Sequence, residues 1–423
     1  MKSTIKLALL AIVLSFGLSA YAQKSRSLDN YRQPDQNGIN VYESPKDTTA
    51  TFDGVKVRIG GSSTLQFQAI DNENSGAIPL TKIGSNFNLA TANLDLDVAL
   101  YDGVRMHLRT YLSSRHHPEP YVKGGYFQID KLNFISEGFL EDFMKHATIK
   151  IGHMENNYGD AHFRRSDNAQ TIYNPFVGNL IMDSFTTEVG AELYYRCDSG
   201  FLGMVGFSNG KLNQSVKESN GTTGGAAFLA KLGYDKQIND DFRFRVTGSL
   251  YNTGYAPRVY LYTADRTGSR YYSVMQDATA SSDNFRSGRF DPEFRNKITA
   301  IMVNPFIKYG GLEFFGTVEL TSGRSLSETD RRKAEQYAGE VIYRFGSTEN
   351  FYLGTRYNTV SAELTSGDDI TIDRFQLGAG WFMTKNILLK AEYVTQNYKD
   401  YPVGNLLEDG KFNGLTLEAA ISF

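Results

Sequence analysis

The stretch from Asn93 to Leu112 constrains this chain more than any other. Leu94, Leu96, Val98 and Leu100 alternate with Asn93, Asp95, Asp97 and Ala99. After Asp102-Gly103, Val104, Met106 and Leu108 alternate with Arg105, His107 and Arg109. Alternation at period two marks an extended strand with two unlike faces. Asp-Gly between two such runs is a strong hairpin signal, because a tight turn needs positive φ. One face of this hairpin is aliphatic. The other carries two carboxylates on one strand, and two guanidiniums with an imidazole on the next. That second face has to meet water. The water is either bulk solvent around a soluble sheet or the filled lumen of a barrel whose apolar face meets lipid.

The amino terminus and the composition bear on that choice. Lys2 and Lys6 form a basic region, Leu7 to Leu14 an apolar core, and Ala20-Tyr21-Ala22 an A-x-A cleavage site. Residues 1–22 therefore read as a secretory signal peptide. The single cysteine, Cys197, excludes a disulfide framework and is expected to be a small apolar residue on a sheet face. Beyond the leader no stretch approaches the ~18 apolar residues of a membrane helix. With 26 Tyr, 28 Phe and 40 Gly against 10 Pro, the composition fits the aromatic girdles of an outer-membrane barrel. It also fits a secreted sandwich or propeller. A net charge of −3 offers no basis for binding nucleic acid.

Repetition along the chain favours the barrel. Residues 23–53 are polar and lack a period, and read as a flexible periplasmic segment. Val55, Val57, Ile59, Leu65, Phe67 and Ala69 then share one parity, Lys56, Arg58, Thr64, Gln66 and Gln68 the other. From there the pattern gives about 16 strands, ending at Leu415 to Phe423, an even number of the kind bacterial barrels use. The reading includes a strand over Phe127 to Phe134, one or two helical turns within Ser136 to Lys145, and a charged loop from Thr321 to Glu335. Short connections (Asp102-Gly103, Asp198 to Gly200, Gly310-Gly311, Thr384 to Asn386) alternate with long ones. Short periplasmic turns and long extracellular loops produce that phase. No propeller repeat of ~40–50 residues is visible. Residues 54–423 are thus expected to form an all-β, transmembrane antiparallel barrel. In hydrocarbon every backbone N–H and C=O has to be paired within the protein, so strands span only as a closed ring. A ring of about 16 encloses an aqueous lumen.

The lumen face predicts the chemistry. Its bases are Lys56, Arg58, Arg105, His107, Arg109, Lys150, Arg196, Arg243, Arg245, Arg344, Arg356, Arg374 and Lys390. Its acids are Asp95, Asp97, Glu192, Glu313, Glu319, Glu392 and Glu418. Rings of side-chain charge set which ions cross. The bases either hand an anion along the wall or pair with the acids and stiffen it. The connection from His153 to Thr186, third on the extracellular side, breaks the pattern: it is long and polar, with Tyr158, Phe163, Tyr173, Phe176 and Ile181 as apolar anchors. It is expected to fold into the lumen and constrict it with Glu155, Asp160, Arg164, Arg165 and Asp167. Packing over the outer rim is the alternative.

These features resemble a Gram-negative porin, general or substrate-specific. Thr148-Ile149-Lys150-Ile151-Gly152-His153 followed by Asn157-Tyr158-Gly159 is similar to the strand-to-loop passage of the phosphate-selective porin family and its Bacteroidetes relatives. The match covers the barrel in architecture, but in motif only this passage and the C-terminal strand. The resemblance implies an outer-membrane location among lipid and lipopolysaccharide, a homotrimer, and a terminal Phe423 read by the barrel-assembly machinery. The phosphate-selective branch also implies a dense ladder of pore Arg and Lys. The inward acids of this chain depart from it and argue against phosphate specificity.

The expected function is a water-filled diffusion channel for small polar or anionic solutes, with a mild anion preference. No cofactor, metal or enzymatic activity is expected. His116-His117 lacks further ligands at metal spacing, and no nucleophile has a positioned base. The alternatives are a structural or binding barrel, plugged or gated, that partners another envelope protein, and a barrel hydrolase. In the binding alternative Tyr260, Tyr262, Tyr271 and Tyr272 of the Gly254 to Arg295 loop offer a contact surface.

Overall fold

The computed structural model describes residues 28–46, 52–88, 90–114, 120–219, 221–263, 270–281 and 286–423. The leader expected at 1–22 and the pair His116-His117 lie outside the described residues. The strands are β1 (Lys56–Glu73), β2 (Asn86–Phe87), β3 (Thr91–Tyr101), β4 (Val104–Ser113), β5 (Tyr121–Ile129), β6 (Ala147–Glu155), β7 (Thr187–Arg196), β8 (Phe201–Ser208) and β9 (Ala227–Gln237). They continue as β10 (Phe242–Thr253), β11 (Lys297–Tyr309), β12 (Leu312–Arg324), β13 (Arg332–Phe345), β14 (Phe351–Glu363), β15 (Asp369–Thr384), β16 (Ile387–Lys399) and β17 (Lys411–Ser422). Leaving aside the two-residue β2, sixteen strands pair antiparallel in chain order, and β1 pairs with both β3 and β17. The ring is closed, so no edge is left with unpaired backbone groups.

The alternation read from the sequence sets the two faces. On the outside Val205, Phe228 and Leu232 are 52 %, 49 % and 74 % exposed. Toward the short turns this face carries ring pairs packed edge to face or tilted: Phe201 with Tyr234, Phe242 with Tyr309, and Phe345 with both Tyr343 and Phe351. Such a belt suits a membrane–water interface, where an aromatic body meets both media. No helix among the described residues is long and apolar enough to cross a membrane.

The opening hairpin has the register its charges predict. Asp95 lies opposite Arg109 and Asp97 opposite His107. Its turn differs in detail: Gly103 has φ of 72°, and a register shift between Ala99 and Tyr101 takes up the remaining twist. Three local expectations are corrected. The strand placed at Phe127 to Phe134 is β5, Tyr121–Ile129, set back by a bulge opposite Arg109/Thr110. The charged loop at Thr321 to Glu335 shrinks to 325–331, because β12 and β13 run beyond the apparent end of their alternation. Cys197 is exposed just past the end of β7 rather than on a sheet face. Within Ser136 to Lys145 there is one helical turn, Glu141–Met144.

The largest departure concerns what fills the ring. Residues 28–46 do not hang free as a flexible periplasmic segment; they pack across the mouth on the short-turn side. The third long loop, 156–186, crosses the lumen, and residues 254–263, 270–281 and 286–296 of the next long loop fold in from the opposite mouth. Ile181, Met182, Val259, Leu261, Tyr262, Tyr271 and Val274 form one buried cluster with inward residues Ile298, Ala300 and Met302 of β11, Val360 of β14 and Val394 of β16. In that half of the barrel the inner face meets folded chain rather than bulk water.

Candidate functional site

A loop with little regular structure can be buried only if its backbone groups find partners. For 156–186 the partners are wall side chains. Val177 N donates to Glu392 Oε2 (2.8 Å), Ile181 N to Asn358 Oδ1 (2.7 Å), Met182 N to Gln336 Oε1 (2.8 Å) and Asp160 N to Asn304 Oδ1 (2.7 Å). Lys390 Nζ donates to the carbonyls of Thr171, Asn174 and Phe176 at 3.0–3.2 Å. Arg356 Nη1 donates to Gly178 O (2.8 Å) and Arg374 Nη1 to Asn179 O (2.6 Å). Arg356 and Arg374 therefore do lie on the lumen face, but they meet loop carbonyls instead of solvent. Glu192 accepts from Asn157 N at 3.0 Å.

The Asn157-Tyr158-Gly159 passage is the hinge of this insertion. Tyr158 Oη donates to Glu319 at 3.0 Å, and Asn157 Oδ1 accepts from Lys231. Gly159 has φ of 70°, and a Cβ there would lie 2.1 Å from Met302 Sδ, so the chain turns against β11 only without a side chain.

Segment 28–46 is held differently. Arg105 donates to Asn30 O (3.1 Å), Gln36 N to Lys385 O (2.8 Å), and Arg243 to Asn40 O (2.9 Å). Asn40 Nδ2 donates to Glu313 (2.7 Å), and Lys46 pairs with Asp130 (3.1 Å). These partners sit on β4, the β15–β16 turn, β10, β12 and the end of β5, so the segment makes a circuit of the mouth. Its tightest point is a buried four-charge cluster. Arg245 binds Glu43 (2.9 Å) and Asp160 (2.8 Å), and Lys231 binds Asp160 (3.0 Å) with Glu43 at 3.6 Å. The cluster joins segment, loop and wall. Burial pushes the Glu43 carboxyl up, but Arg245 and Lys231 outweigh it and hold Glu43 well below the usual carboxylate range. Asp160 is lowered by the same two cations against the same burial.

The remaining constriction-loop residues pair within or near the loop. Arg165 binds Asp183 (2.8 Å) and Asp167 (3.0 Å), Lys123 binds Asp167 (3.3 Å), Arg164 binds Glu340 (3.2 Å), and Glu155 binds His162 (2.6 Å). The described part of the aromatic loop is also engaged inward: Tyr262 Oη reaches Glu319 and Tyr271 Oη reaches Glu392, both at 2.6 Å. Tyr262, Tyr271 and Tyr272 are buried, so they do not offer the outer contact surface expected of them.

Between segment, loop and the β3–β7 wall lies a cavity of about 160 Å³. Its lining includes Tyr31, Arg32 and Tyr42 from the segment, Asp95, Asp97, Arg105, His107, Arg109 and Lys150 from the wall, and Glu155 and His162 at the loop base. Arg109 grips Asp95 with two bonds of 2.8 and 2.6 Å, while Asp97 takes Arg58 (3.1 Å), Arg105 (3.1 Å) and His107 (2.8 Å). A second cavity of about 260 Å³, lined by Glu43, Arg196, Arg243 and Arg245, opens nearer the mouth. No group of three or more His, Cys, Asp or Glu among the described residues suits a metal ion. Phe423 lies on the outer face, and its backbone pairs with Gly61.

The sequence reading missed Lys123, Lys231 and the whole set on 28–46. Lys231 was accessible to it, since it shares the parity of Ala227 and Leu229, which also face inward.

No family model and no curated protein sequence matches the chain. Solved structures do. An anion-selective porin from Comamonas acidovorans aligns at a TM-score of 0.53 and 11 % identity, over 87 % of this chain and 100 % of that one. The outer membrane channel DcaP of Acinetobacter baumannii aligns at 0.52 and 11 %, over 88 % and 99 %. OmpT, an outer membrane protein of Vibrio cholerae, aligns at 0.52 and 13 %, over 88 % and 99 %. At such identities the likeness is one of fold: a closed sixteen-strand barrel of the outer-membrane type.

Proposed function

We propose that this chain is an outer-membrane channel of a Gram-negative bacterium for passive diffusion of small polar or anionic solutes, and that the structure is its closed form. The observation that carries the reading is the two-faced wall: an aromatic and aliphatic exterior around an interior of buried, paired charges. A soluble barrel has no use for the first, and a lipid-filled one cannot hold the second. The porin and channel among the structural neighbours support it. On this reading residues 1–22 are the leader, 54–423 the barrel, and 28–46 a strap that has to leave for solute to pass. Arg105, His107, Arg109 and Lys150 then border the route, and the barrel assembles in lipid and lipopolysaccharide with Phe423 as the signal to the assembly machinery. A homotrimer is supported by the trimer form of the Vibrio protein. The same barrel without a solute path, serving as a plugged binding partner in the envelope, is the second reading, favoured by the filled lumen.

Planar-bilayer recording in a potassium chloride gradient tests the proposal. The expected result is discrete current steps with a reversal potential on the chloride side. Absence of any steps from folded protein, with or without its strap, would favour the plugged partner.

A further inference from the structure

One connection on the short-turn rim is far longer than its neighbours. The others span 102–103, 197–200, 238–241, 310–311, 346–350 and 385–386, whereas β5 and β6 are joined by 130–146. This connection does not lie across the lumen. Its Leu132 and Met144 pack with Ile129, Ala147 and Ile149. Ile129 and Ile149 lie opposite each other on β5 and β6, on the same face as the exposed pair Phe127 and Ile151. The ring of Phe143 lies 5.6 Å from that of Tyr195, exposed on the same outer face of β7. The connection therefore folds back over the outside of the barrel, level with the aromatic belt. What it shows to its surroundings is apolar: Phe134, Ile135, Phe139, Leu140 and Phe143 are between 40 % and 58 % exposed. Leu140 holds its place with φ of 51°, left-handed backbone that a leucine rarely adopts. A contiguous apolar cluster on an exposed connection marks an interaction surface.

We infer that residues 132–144 form a foot seated in the periplasmic leaflet, with these apolar side chains among phospholipid chains. Continuity, height and charge select lipid as the occupant. The patch extends, through Phe143 on Tyr195, a belt that already suits the membrane–water interface. The wall beside it is a low part of the ring: β5 and β6 have 9 residues each, against 16 in β15. Nine residues at a tilt of about 40° rise about 23 Å, less than the ~25 Å apolar band of a membrane barrel. Apolar surface added at the rim makes up that deficit without thinning the bilayer. Glu141 and Asp142 stand exposed beside the patch and pair with Lys145 (3.6 and 2.9 Å). A protein partner would have to dehydrate these three charges, at a cost. A headgroup region leaves them in water. The foot does not depend on the lumen and stands whether or not solute passes.

The test is a nitroxide label at Phe139→Cys in the full chain, reconstituted in vesicles of phosphatidylethanolamine and phosphatidylglycerol. Cys197→Ser removes the single native thiol. Relaxation of the label by dissolved oxygen and by a water-soluble nickel chelate is compared with two reference sites. Leu377→Cys reports the exposed outer face of β15, and Val403→Cys an outer loop in water. The expected result is the Leu377 pattern, with a ratio of oxygen to nickel relaxation at least fivefold above that at Val403. The Val403 pattern would overturn the inference. So would shielding from both reagents, or spin–spin broadening, which would put a second copy on the patch. Ile135→Cys carries the same test should Phe139→Cys fail to fold.

Discussion

The loop 156–186 and the segment 28–46 occupy the same lumen by different means. The loop buries Ile172, Phe176, Val177, Ile181 and Met182 completely or nearly so, and gives its backbone N–H and C=O groups to Glu392, Asn358, Gln336, Lys390 and Arg356. Among its described apolar side chains the segment buries only Tyr42. Ile39 packs half-buried against the cluster of Ile172, Tyr173 and Phe176, and Arg32 lies over Tyr173; the rest of its hold is ionic and carbonyl bonding, and water can replace those partners at small net cost. Burying a large apolar side chain contributes about 1.5–3 kcal/mol, and no solvent substitutes for it. The loop is therefore part of the barrel's core, and the segment is a detachable strap.

The sharpest break of that contrast is Phe176→Ala. Phe176 packs against Gly354 and Gly378 and under Arg356. Removing it should cost about 3–5 kcal/mol, seen as a lower temperature for conversion to the heat-unfolded band on a gel. Glu43→Gln should act on the strap instead. Arg245 keeps Asp160 and Asp235, so no charge is orphaned, and the loss of a charged bond is about 1.5–3 kcal/mol. The expected outcome is faster protease cleavage within 28–46 with barrel melting unchanged. A fall in barrel melting as large as that of Phe176→Ala would merge the two regions. Lys385→Ala removes a 3.2 Å pair with Asp35 whose lysine is 63 % exposed. It should shift protection of the strap by less than about 1 kcal/mol.

The smallest effect is that of pH. Glu43 and Asp160 are both depressed in the docked state. Groups of that kind add stability above their unfolded pKa of about 4 and lose it only as pH falls through the lower docked value. Cleavage of the strap should therefore be flat from pH 8 to about 5 and rise only in stronger acid. A rise between pH 7 and 6 would point to a histidine as the latch.

The wall was legible because lipid imposes a rule on every second residue, and Leu94 to Leu108 obey it. Inward residues such as Arg356, Arg374 and Lys390 were legible for the same reason. Their partners were not, because a carbonyl of Gly178 or Asn179 leaves no trace in the spacing of a strand nearly two hundred residues away. The filled lumen did leave a trace. Ile298, Ala300 and Met302 face inward on β11 while Ile301 and Val303 face outward, and Ile370 and Ile372 face inward on β15. A water-lined wall has no reason to be apolar on both faces. The strap left none: its composition is that of a free tail, and only its partners around the mouth, Arg245 on Glu43 and Asp130 on Lys46 among them, show otherwise.

The central claim is that residues 28–46 close a lumen that otherwise conducts. Single-channel recording of the full chain beside a chain lacking 28–46 tests it most directly. The account predicts small or rare steps from the first and several-fold larger, steady steps from the second, with equal barrel melting. Equal conductance in the two would contradict it.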